Sequence, residues 1–294
     1  MSRSQNELKD ILQRVRQTRK ITNALYLLSS ARLRSDRAAW EYRAEYAQKT
    51  HKAMELMLTG KDSGKISSPF LERSRSGRPL YLIVTGDKGL CGVYNNDIVK
   101  FALNTVKEKA AETGAEPLVY GFGKVCRTKT ELAGIFPEKI IPGAASHPDA
   151  KTSADVCEEL IAAYVSGEAS EVYFISAPYI SAHGKPVCTR ILPFNIEDFC
   201  ANGINTEKTV FEPDASTAFD AVARTYLESN VYSLLVQSAL SENAARMTAM
   251  KEATDKADEK AEELEKNMNA QRQLAITNEL AEIAASAGAQ KHEK

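Results

Sequence analysis

Apolar and small residues recur every three or four positions along the last third of the chain, with charged residues between them. The spacing is that of a heptad repeat, which predicts a long helix packed along its length on a partner helix. At about 1.5 Å per residue, residues 215–287 would reach about 110 Å as one helix. The predicted seam comprises Met247, Met250, Thr254, Ala257, Ala261, Leu264 and Met268, followed after a slip by Leu280, Ile283 and Ala287.

The first 59 residues offer a partner for this helix. Their apolar positions also fall on one stripe, which predicts an amphipathic helix roughly 90 Å long if unbroken. The stripe comprises Leu8, Ile11, Leu12, Val15, Ile21, Leu25 and Leu28. An antiparallel two-stranded coiled coil made from both chain ends is the simplest arrangement that buries both patterns.

The middle of the chain alternates short apolar runs with helix-like stretches, which is typical of an α/β domain with a mostly parallel sheet. Helices are expected at about 97–112 and 154–165, and a polar helical segment is expected between the apolar runs at 117–121 and 140–141. A final run, 187–194, is expected to be an antiparallel hairpin partner of the strand before it. The preceding strands are predicted at 80–85, 117–121, 140–141 and 171–176.

The helix-breaking residues divide the chain in three. All ten prolines lie between Pro69 and Pro213, and fourteen of the fifteen glycines lie between Gly60 and Gly203. Because both residue types disfavour helix interiors, long helices are expected only outside this middle part. The predicted segments are an N-terminal helix over 1–59, an α/β domain over 60–213 and a C-terminal helix over 214–294.

Composition excludes several classes of protein. The 294 residues include 38 basic and 39 acidic side chains, with 43% hydrophobic residues, as in ordinary globular proteins. The sequence contains no apolar run of about 18 residues and no apolar secretory signal at its start, so neither an integral membrane protein nor a secreted one is expected. An odd number of cysteines without metal-ligand spacing indicates reduced thiols rather than a disulfide scaffold. They are Cys91, Cys126, Cys157, Cys188 and Cys200.

The turn after the first predicted strand, Gly86–Gly92, lies where a doubly wound fold would hold a phosphate. It lacks both glycine-rich nucleotide-binding patterns, so a tight turn is favoured over a nucleotide site. Cys91 in this turn could be a nucleophile only with a base or an electropositive pocket nearby, and no histidine lies in its segment. The four histidines form no zinc pattern. No catalytic residue, cofactor or metal ion is predicted.

The N-terminal helix is basic. Up to Arg37 it carries nine basic residues against three acidic ones, a surface that could bind nucleic acid. Residues 252–266 are the opposite, with seven acidic residues against three lysines. The alternatives are therefore a nucleic acid, a protein partner or internal pairing of the two helices.

Three motifs carry a resemblance to a known family, the gamma subunit of the F-type ATP synthase. Their order and spacing along the chain make coincidence very improbable. The N-terminal motif is 20–25 with 29–34, and the turn motif is 85–95, Thr-Gly-Asp-Lys-Gly-Leu-Cys-Gly-Val-Tyr-Asn. The C-terminal motif comprises 211–213, 241–250 and 272–280. The chain departs from the usual pattern at Leu25 (for Met), Gly86 (for Ser), Val93 (for Gly) and Ser286 (for Gly).

This resemblance implies a coiled-coil shaft formed by both chain ends and a Rossmann-like foot domain. It implies the central-stalk rotor of the synthase, which performs no chemistry itself and couples ion flow through the membrane c-ring to ATP synthesis or hydrolysis. The implied partners are the alpha and beta subunits, the epsilon subunit and the c-ring, with membrane association only through the complex and no nucleic acid.

The resemblance also implies roles for individual positions. Phe211 and Glu212 match the region that seats on the c-ring or epsilon. The positions that match contacts with beta subunits are Leu25, Lys88, Cys91, Arg272, Gln273 and Thr277. The alternative is a coiled-coil adaptor or nucleic-acid-binding protein with an α/β head, binding through the basic N-terminal face.

Location in the cell is inferred from what the sequence lacks. No long insertion resembling the thiol-regulated one of plastids occurs near 195–210, and no transit peptide precedes the first helix. We therefore expect the cytoplasmic face of a bacterial plasma membrane.

Overall fold

The structure, a computed structural model, describes residues 3–59, 64, 66–72, 77–179, 184–199 and 211–292. Cys200 and most of the segment expected to lack a plastid-type insertion lie outside these ranges. The helices are α1 (Arg3–Thr59), α2 (Tyr94–Thr113), α3 (Cys126–Leu132), α4 (Ala150–Val165) and α5 (Ala215–His292), with one 3-10 turn at Ile196–Phe199. The strands are β1 (Arg78–Val84), β2 (Leu118–Phe122), β3 (Lys139–Ile141), β4 (Ala169–Ser176) and β5 (Val187–Leu192).

The five strands form one sheet in the order β3-β2-β1-β4-β5. The first four are parallel, and β5 runs antiparallel to β4. Every residue of β2 and nearly every residue of β1 and β4 is buried, as expected for parallel strands covered on both faces. The predicted α/β fold with a mostly parallel sheet is therefore confirmed, including the antiparallel final strand.

The chain divides into two compact units, and both divisions fall inside long helices. The helical unit comprises residues 1–28 and 247–294, and the α/β unit comprises residues 29–246. The predicted boundaries near 59 and 213 coincide with the end of α1 and the start of α5. The second half of α1 and the first part of α5 nevertheless belong to the α/β unit.

Two hydrophobic clusters explain why those helical segments join the α/β unit. One cluster contains Leu80, Leu82 and Phe174 of the sheet together with Met54 of α1 and Phe219 of α5. The other packs the sheet against α2 and α3, with Ile83, Ile98 and Cys126 among its members. Residues far apart in sequence thus complete a single unit around the sheet.

The helical unit pairs α1 and α5 in antiparallel register. Its buried seam includes Leu12, Met250, Ala257 and Leu264. Thr254 Oγ1 donates a hydrogen bond of 2.8 Å to Thr22 Oγ1, and both threonines are buried. Two ion pairs flank the seam, Arg16–Glu265 at 2.5 Å and Arg19–Asp258 at 3.0 Å. Position numbers rise along α1 as they fall along α5, which confirms the predicted antiparallel pairing.

Part of the predicted seam is wrong. Ile11, Ile21 and Leu28 are exposed, whereas Thr22 and Ser29 are buried. On α5 the predicted positions from Met247 to Leu264 are buried or half-buried, but Leu280 and Ile283 are exposed, so the seam does not continue through them. The phase on α1 follows positions that include polar residues, because threonine and serine are small enough for close helix contact. Thr22 bonds to the backbone of its own helix, which satisfies its hydroxyl there.

Candidate functional site

The turn after β1 is organised by its own polar groups. Gly86 N donates to Asn95 Oδ1 at 2.8 Å, and Asn95 Nδ2 donates to Lys88 O at 3.2 Å. Leu90, at the tip, has a φ of 61° and is exposed. A positive φ is unusual for a leucine, so the surrounding bonds must hold this backbone in place.

Side chains of α5 fill the space against this turn. Arg246 donates to Gly89 O, at 3.3 Å from Nε and 3.4 Å from Nη2, and forms a buried ion pair with Glu242. Glu242 is 1% exposed. A Cβ added at Gly86 would lie 2.5 Å from Glu242 Cδ. The position where a doubly wound fold would hold a phosphate is therefore occupied by a carboxylate and its arginine.

Two carboxylates beside the turn have opposite electrostatic environments. Burial, only partly offset by Arg246, raises the pKa of Glu242. Burial alone would also raise the pKa of Asp87, but hydrogen bonds from Ser146 and from the backbone amide of Lys124 lower it below the ordinary value. Ser146 donates to Asp87 Oδ2 through both its amide, at 3.0 Å, and its hydroxyl, at 2.7 Å. Asp87 thus connects the turn by hydrogen bonds to the loops that contain Lys124 and Ser146.

Cys91 is enclosed in this network. Its side chain is 2% exposed, and Asn95 Nδ2 donates to its sulfur at 3.2 Å. Burial raises the pKa of the thiol, with Arg246 opposing that rise. A thiol held protonated is a poor nucleophile, so the geometry supports a structural cysteine. Burial likewise raises the pKa of Cys126 and Cys188, in each case to about 11. Across the part of the chain that the structure describes, no group of three or more metal-ligating side chains lies together.

The outer surface of the turn differs from what the motif alone suggested. Lys88 is exposed, but Cys91 points inward, and the exposed apolar side chains are Leu90 and Val93. A partner that approaches this turn therefore meets Lys88 and the two apolar side chains before the cysteine.

The remaining predicted residues of the α/β unit lie before α5. Phe211 is half-buried against the hydrophobic cluster that contains Met54 and Phe219, and Glu212 is exposed. Asp214 then caps α5, accepting hydrogen bonds of 2.9 Å from the amides of Ser216 and Thr217. Glu212 is thus an exposed charge fixed beside a capped helix start.

The predicted contact residues of the helical unit lie on both of its helices. Leu25 of α1 is half-buried, whereas Arg272, Gln273 and Thr277 of α5 are exposed. Thr277 Oγ1 donates to Gln273 O at 2.9 Å. Large apolar side chains near them on α5 are exposed as well, in fractions from 49% to 64%. They are Leu274, Ile276, Leu280 and Ile283.

Sequence reasoning did not place Glu242 and Arg246 beside the turn. Both lie in the 241–250 motif. The motif indicates the family, but it does not indicate that Arg246 bonds to the carbonyl of Gly89, 157 positions earlier. The ion pairs of Arg16 and Arg19 with acidic residues of α5 confirm internal pairing of the basic and acidic stretches. No helix among the ranges the structure covers is both long and apolar enough to cross a bilayer.

Comparisons with known proteins cover nearly the whole chain. A family model described as ATP synthase matches residues 4–289. The ATP synthase gamma chain of Caldanaerobacter subterraneus subsp. tengcongensis is 31% identical over 92% of this chain and 94% of the relative. That of Saccharopolyspora erythraea is also 31% identical, over 94% of each chain.

Solved structures agree in fold. The rotor of the Euglena gracilis mitochondrial ATP synthase superimposes with a TM-score of 0.64 at 16% identity, over 93% of this chain and 99% of that one. A chain from the OSCP/F1/c-ring part of the same synthase gives 0.68 at 18% identity, over 98% and 94%. The family model and the curated relatives support the synthase interpretation and not the adaptor or nucleic-acid alternative. The chain therefore belongs to the ATP synthase gamma chain family.

Proposed function

We propose that this chain is a non-catalytic rotor whose helical unit presses on beta subunits while its α/β unit receives rotation from the membrane c-ring. The observation that carries the proposal is the exposed apolar surface of the helical unit around Arg272 and Thr277. Leu274, Ile276, Leu280 and Ile283 are about half to two-thirds exposed there. Such a concentration of large apolar side chains on a two-helix unit favours enclosure by partner subunits.

The seam of this unit suits a rotor in a second way. Small residues such as Ala257 and the paired Thr22 and Thr254 allow the helices to approach closely. The two helices present different surfaces, since exposed Ile21 and Leu28 lie on α1 while Arg272 and Gln273 lie on α5. An unequal surface stabilises a different conformation of each surrounding beta subunit, so rotation shifts the populations in turn.

In the α/β unit we assign two contact regions. Phe211 and Glu212 face the c-ring or the epsilon subunit, and the turn with Lys88 and Cys91 faces a beta subunit, through its exposed Lys88 and Leu90. The buried Glu242–Arg246 pair keeps that turn in one conformation, which supports its use as a fixed projection. Alpha subunits complete the surrounding ring. The chain would lie at the cytoplasmic face of a bacterial plasma membrane and associate with the bilayer only through the complex.

The test is ATP hydrolysis by this chain mixed with alpha and beta subunits from the same source. A stable complex with multi-site turnover is expected, and Arg272→Ala/Gln273→Ala should reduce that turnover severalfold. Because both side chains are exposed, their loss should leave the helical unit intact and remove contacts with other subunits.

A matched control is Lys251→Ala/Glu252→Ala, two adjacent exposed residues of the same helix outside the predicted contacts. It should leave turnover unchanged. Equal losses in both double variants would show that the contact assignment is wrong. Failure to form any complex would overturn the rotor proposal itself. Turnover by the isolated chain that disappears in Cys91→Ser would overturn its non-catalytic role.

A further inference from the structure

A groove between α1 and α5 in the α/β unit contains a carboxylate with an unsatisfied oxygen. Glu55 is 7% exposed, and its Oε1 is buried without a hydrogen-bond partner among the residues described. Glu55 lines a groove of about 550 Å³. A buried acceptor without a donor is unfavourable, and a small rotation of the Glu55 side chain would let an N–H group of a ligand in the groove satisfy it.

The opposite wall of this groove is suited to a positively charged donor. Ser229, Asn230 and Ser233 of α5 line it, and their side chains provide oxygen acceptors. The ring of Tyr226 lies beside them, with its centroid 6.0 Å from that of His51. An ammonium group accepts no hydrogen bonds and donates three, and it is attracted to aromatic faces, so this lining fits it better than an anion.

A second, smaller pocket of about 220 Å³ adjoins the groove and shares Ala47, Ser229 and Ser233 with it. Its lining includes the aromatic side chains of Trp40 and Tyr46 and the carboxylate of Glu228. Aromatic rings beside a carboxylate form a second environment for a cation. The combined space is too large for one ammonium group and has the size of a chain-like ligand.

The ammonium group of Lys52 could compete with a ligand for the Glu55 carboxylate. Lys52 lines the same groove three residues before Glu55, a spacing that brings side chains together on a helix, yet the structure shows no ion pair between these two residues. An external ammonium group must therefore displace or avoid this positive charge.

We propose that the groove binds an alkylammonium group, with Glu55 as its counter-ion and the aliphatic part extending toward Trp40. This site is separate from the proposed subunit contacts. The same chemistry is offered by a free polyamine and by a lysine side chain of a protein partner.

The experiment is calorimetric titration of the full chain with spermidine and, in parallel, with Nα-acetyl-lysine amide. Glu55→Gln should weaken binding about tenfold or more, because it removes the counter-ion and keeps the shape. The matched control is Glu45→Gln, an exposed carboxylate of the same helix paired with Lys49, which should bind like the wild type. Circular dichroism checks that each variant is folded.

Lys52→Gln should change the ligand affinity in the opposite direction to Glu55→Gln. Removing the internal competitor should tighten binding about threefold, and an affinity that does not rise contradicts the proposal. Spermidine binding about tenfold more tightly than the lysine amide, with loss in Glu55→Gln, identifies a polyamine site. Comparable affinities with the same loss identify a site for a partner's lysine. No binding of either compound, or binding unaffected by Glu55→Gln, overturns the proposal.

Discussion

The α/β unit and the helical unit satisfy their polar and apolar groups in different ways. In the α/β unit, apolar strands are buried on both faces, and a charged pair such as Glu242–Arg246 is enclosed and bonded within the unit. In the helical unit, the ion pairs are exposed, the seam is one layer that mixes small residues such as Ala257 with Met250 and Leu264, and large apolar side chains such as Leu274 remain on the surface. The first unit provides its own partners. The second has exposed apolar surface available for other chains, which is consistent with the proposed contacts to beta subunits.

The largest expected effect comes from removing one member of the enclosed Glu242–Arg246 pair. Arg246→Met should lower the free energy of unfolding by about 3–5 kcal/mol, because Glu242 would remain buried without its partner. Urea denaturation measures the loss. Adding Glu242→Gln to that variant should recover most of it.

The corresponding variant of the helical unit is the control. Lys260 pairs with Glu263 at 2.7 Å, but both side chains are more than half exposed. Lys260→Met should therefore change stability by less than about 1 kcal/mol. If Lys260→Met costs as much as Arg246→Met, the two units do not differ in the way described.

A smaller effect, with a characteristic pH dependence, is expected at Asp87. Its pKa in the folded protein lies below the ordinary value of 3.8, so the unfolded chain binds more protons between those two values and stability rises with pH there. The contribution is complete above that window and is lost as pH falls through the folded pKa. Asp87→Asn should cost about 1–3 kcal/mol at pH 7 and flatten the stability curve below about pH 4.

The pKa of Glu242 is shifted in the opposite direction to that of Asp87, so its effect on stability should change with pH in the opposite way. Its raised pKa means that the folded protein holds the proton more tightly, so its contribution falls as pH rises from 4.5 through the folded pKa. Stability measured from about pH 3 to 7 in Glu242→Gln should therefore lose that decline. An unchanged curve in both variants would contradict the assigned environments.

The smallest expected effect is in the helical seam. Thr254→Val removes the hydrogen bond that the Thr22 hydroxyl accepts across the seam, while Thr22 still donates to the Arg19 carbonyl. The variant should cost about 0.5–1.5 kcal/mol, whereas Thr22→Val/Thr254→Val should be nearly neutral. Hydrogen exchange of residues 3–28 and 247–283 follows the change within this unit. Thr18→Val, at an exposed position of α1, should have no effect, and a loss there equal to that of Thr254→Val would argue against a special role for the seam pair.

The fold was predictable where a pattern is local. Continuous apolar runs identified the strands, and the heptad spacing identified Met250, Ala257 and Leu264 as seam residues, because both signals depend on neighbours a few positions apart. The stripe on α1 failed at Ile21 and Leu28, since hydrophobicity was taken as the only sign of burial while Thr22 and Ser29 are the buried positions.

The candidate sites were less predictable, because they depend on contacts between distant parts of the chain. Arg246 bonds to a carbonyl 157 positions earlier, and Met54 packs into a cluster whose members come from α1, the sheet and α5. Cys91 was identified from its motif, but only the structure shows that it points inward. The isolated carboxylate of Glu55 likewise gives no signal in the sequence, where it is one acidic residue on a charged helix.

The close approach of Gly86 to Glu242 also limits how this sequence can change over evolutionary time. Gly86 stands where the family pattern usually has serine, and any side chain there would begin 2.5 Å from the Glu242 carboxyl carbon. That carboxylate is held by Arg246, so it cannot move without disturbing the arginine that supports Gly89. Positions 86, 242 and 246 are therefore coupled in packing, and Gly86→Ser requires the Glu242 carboxylate and its arginine to shift together.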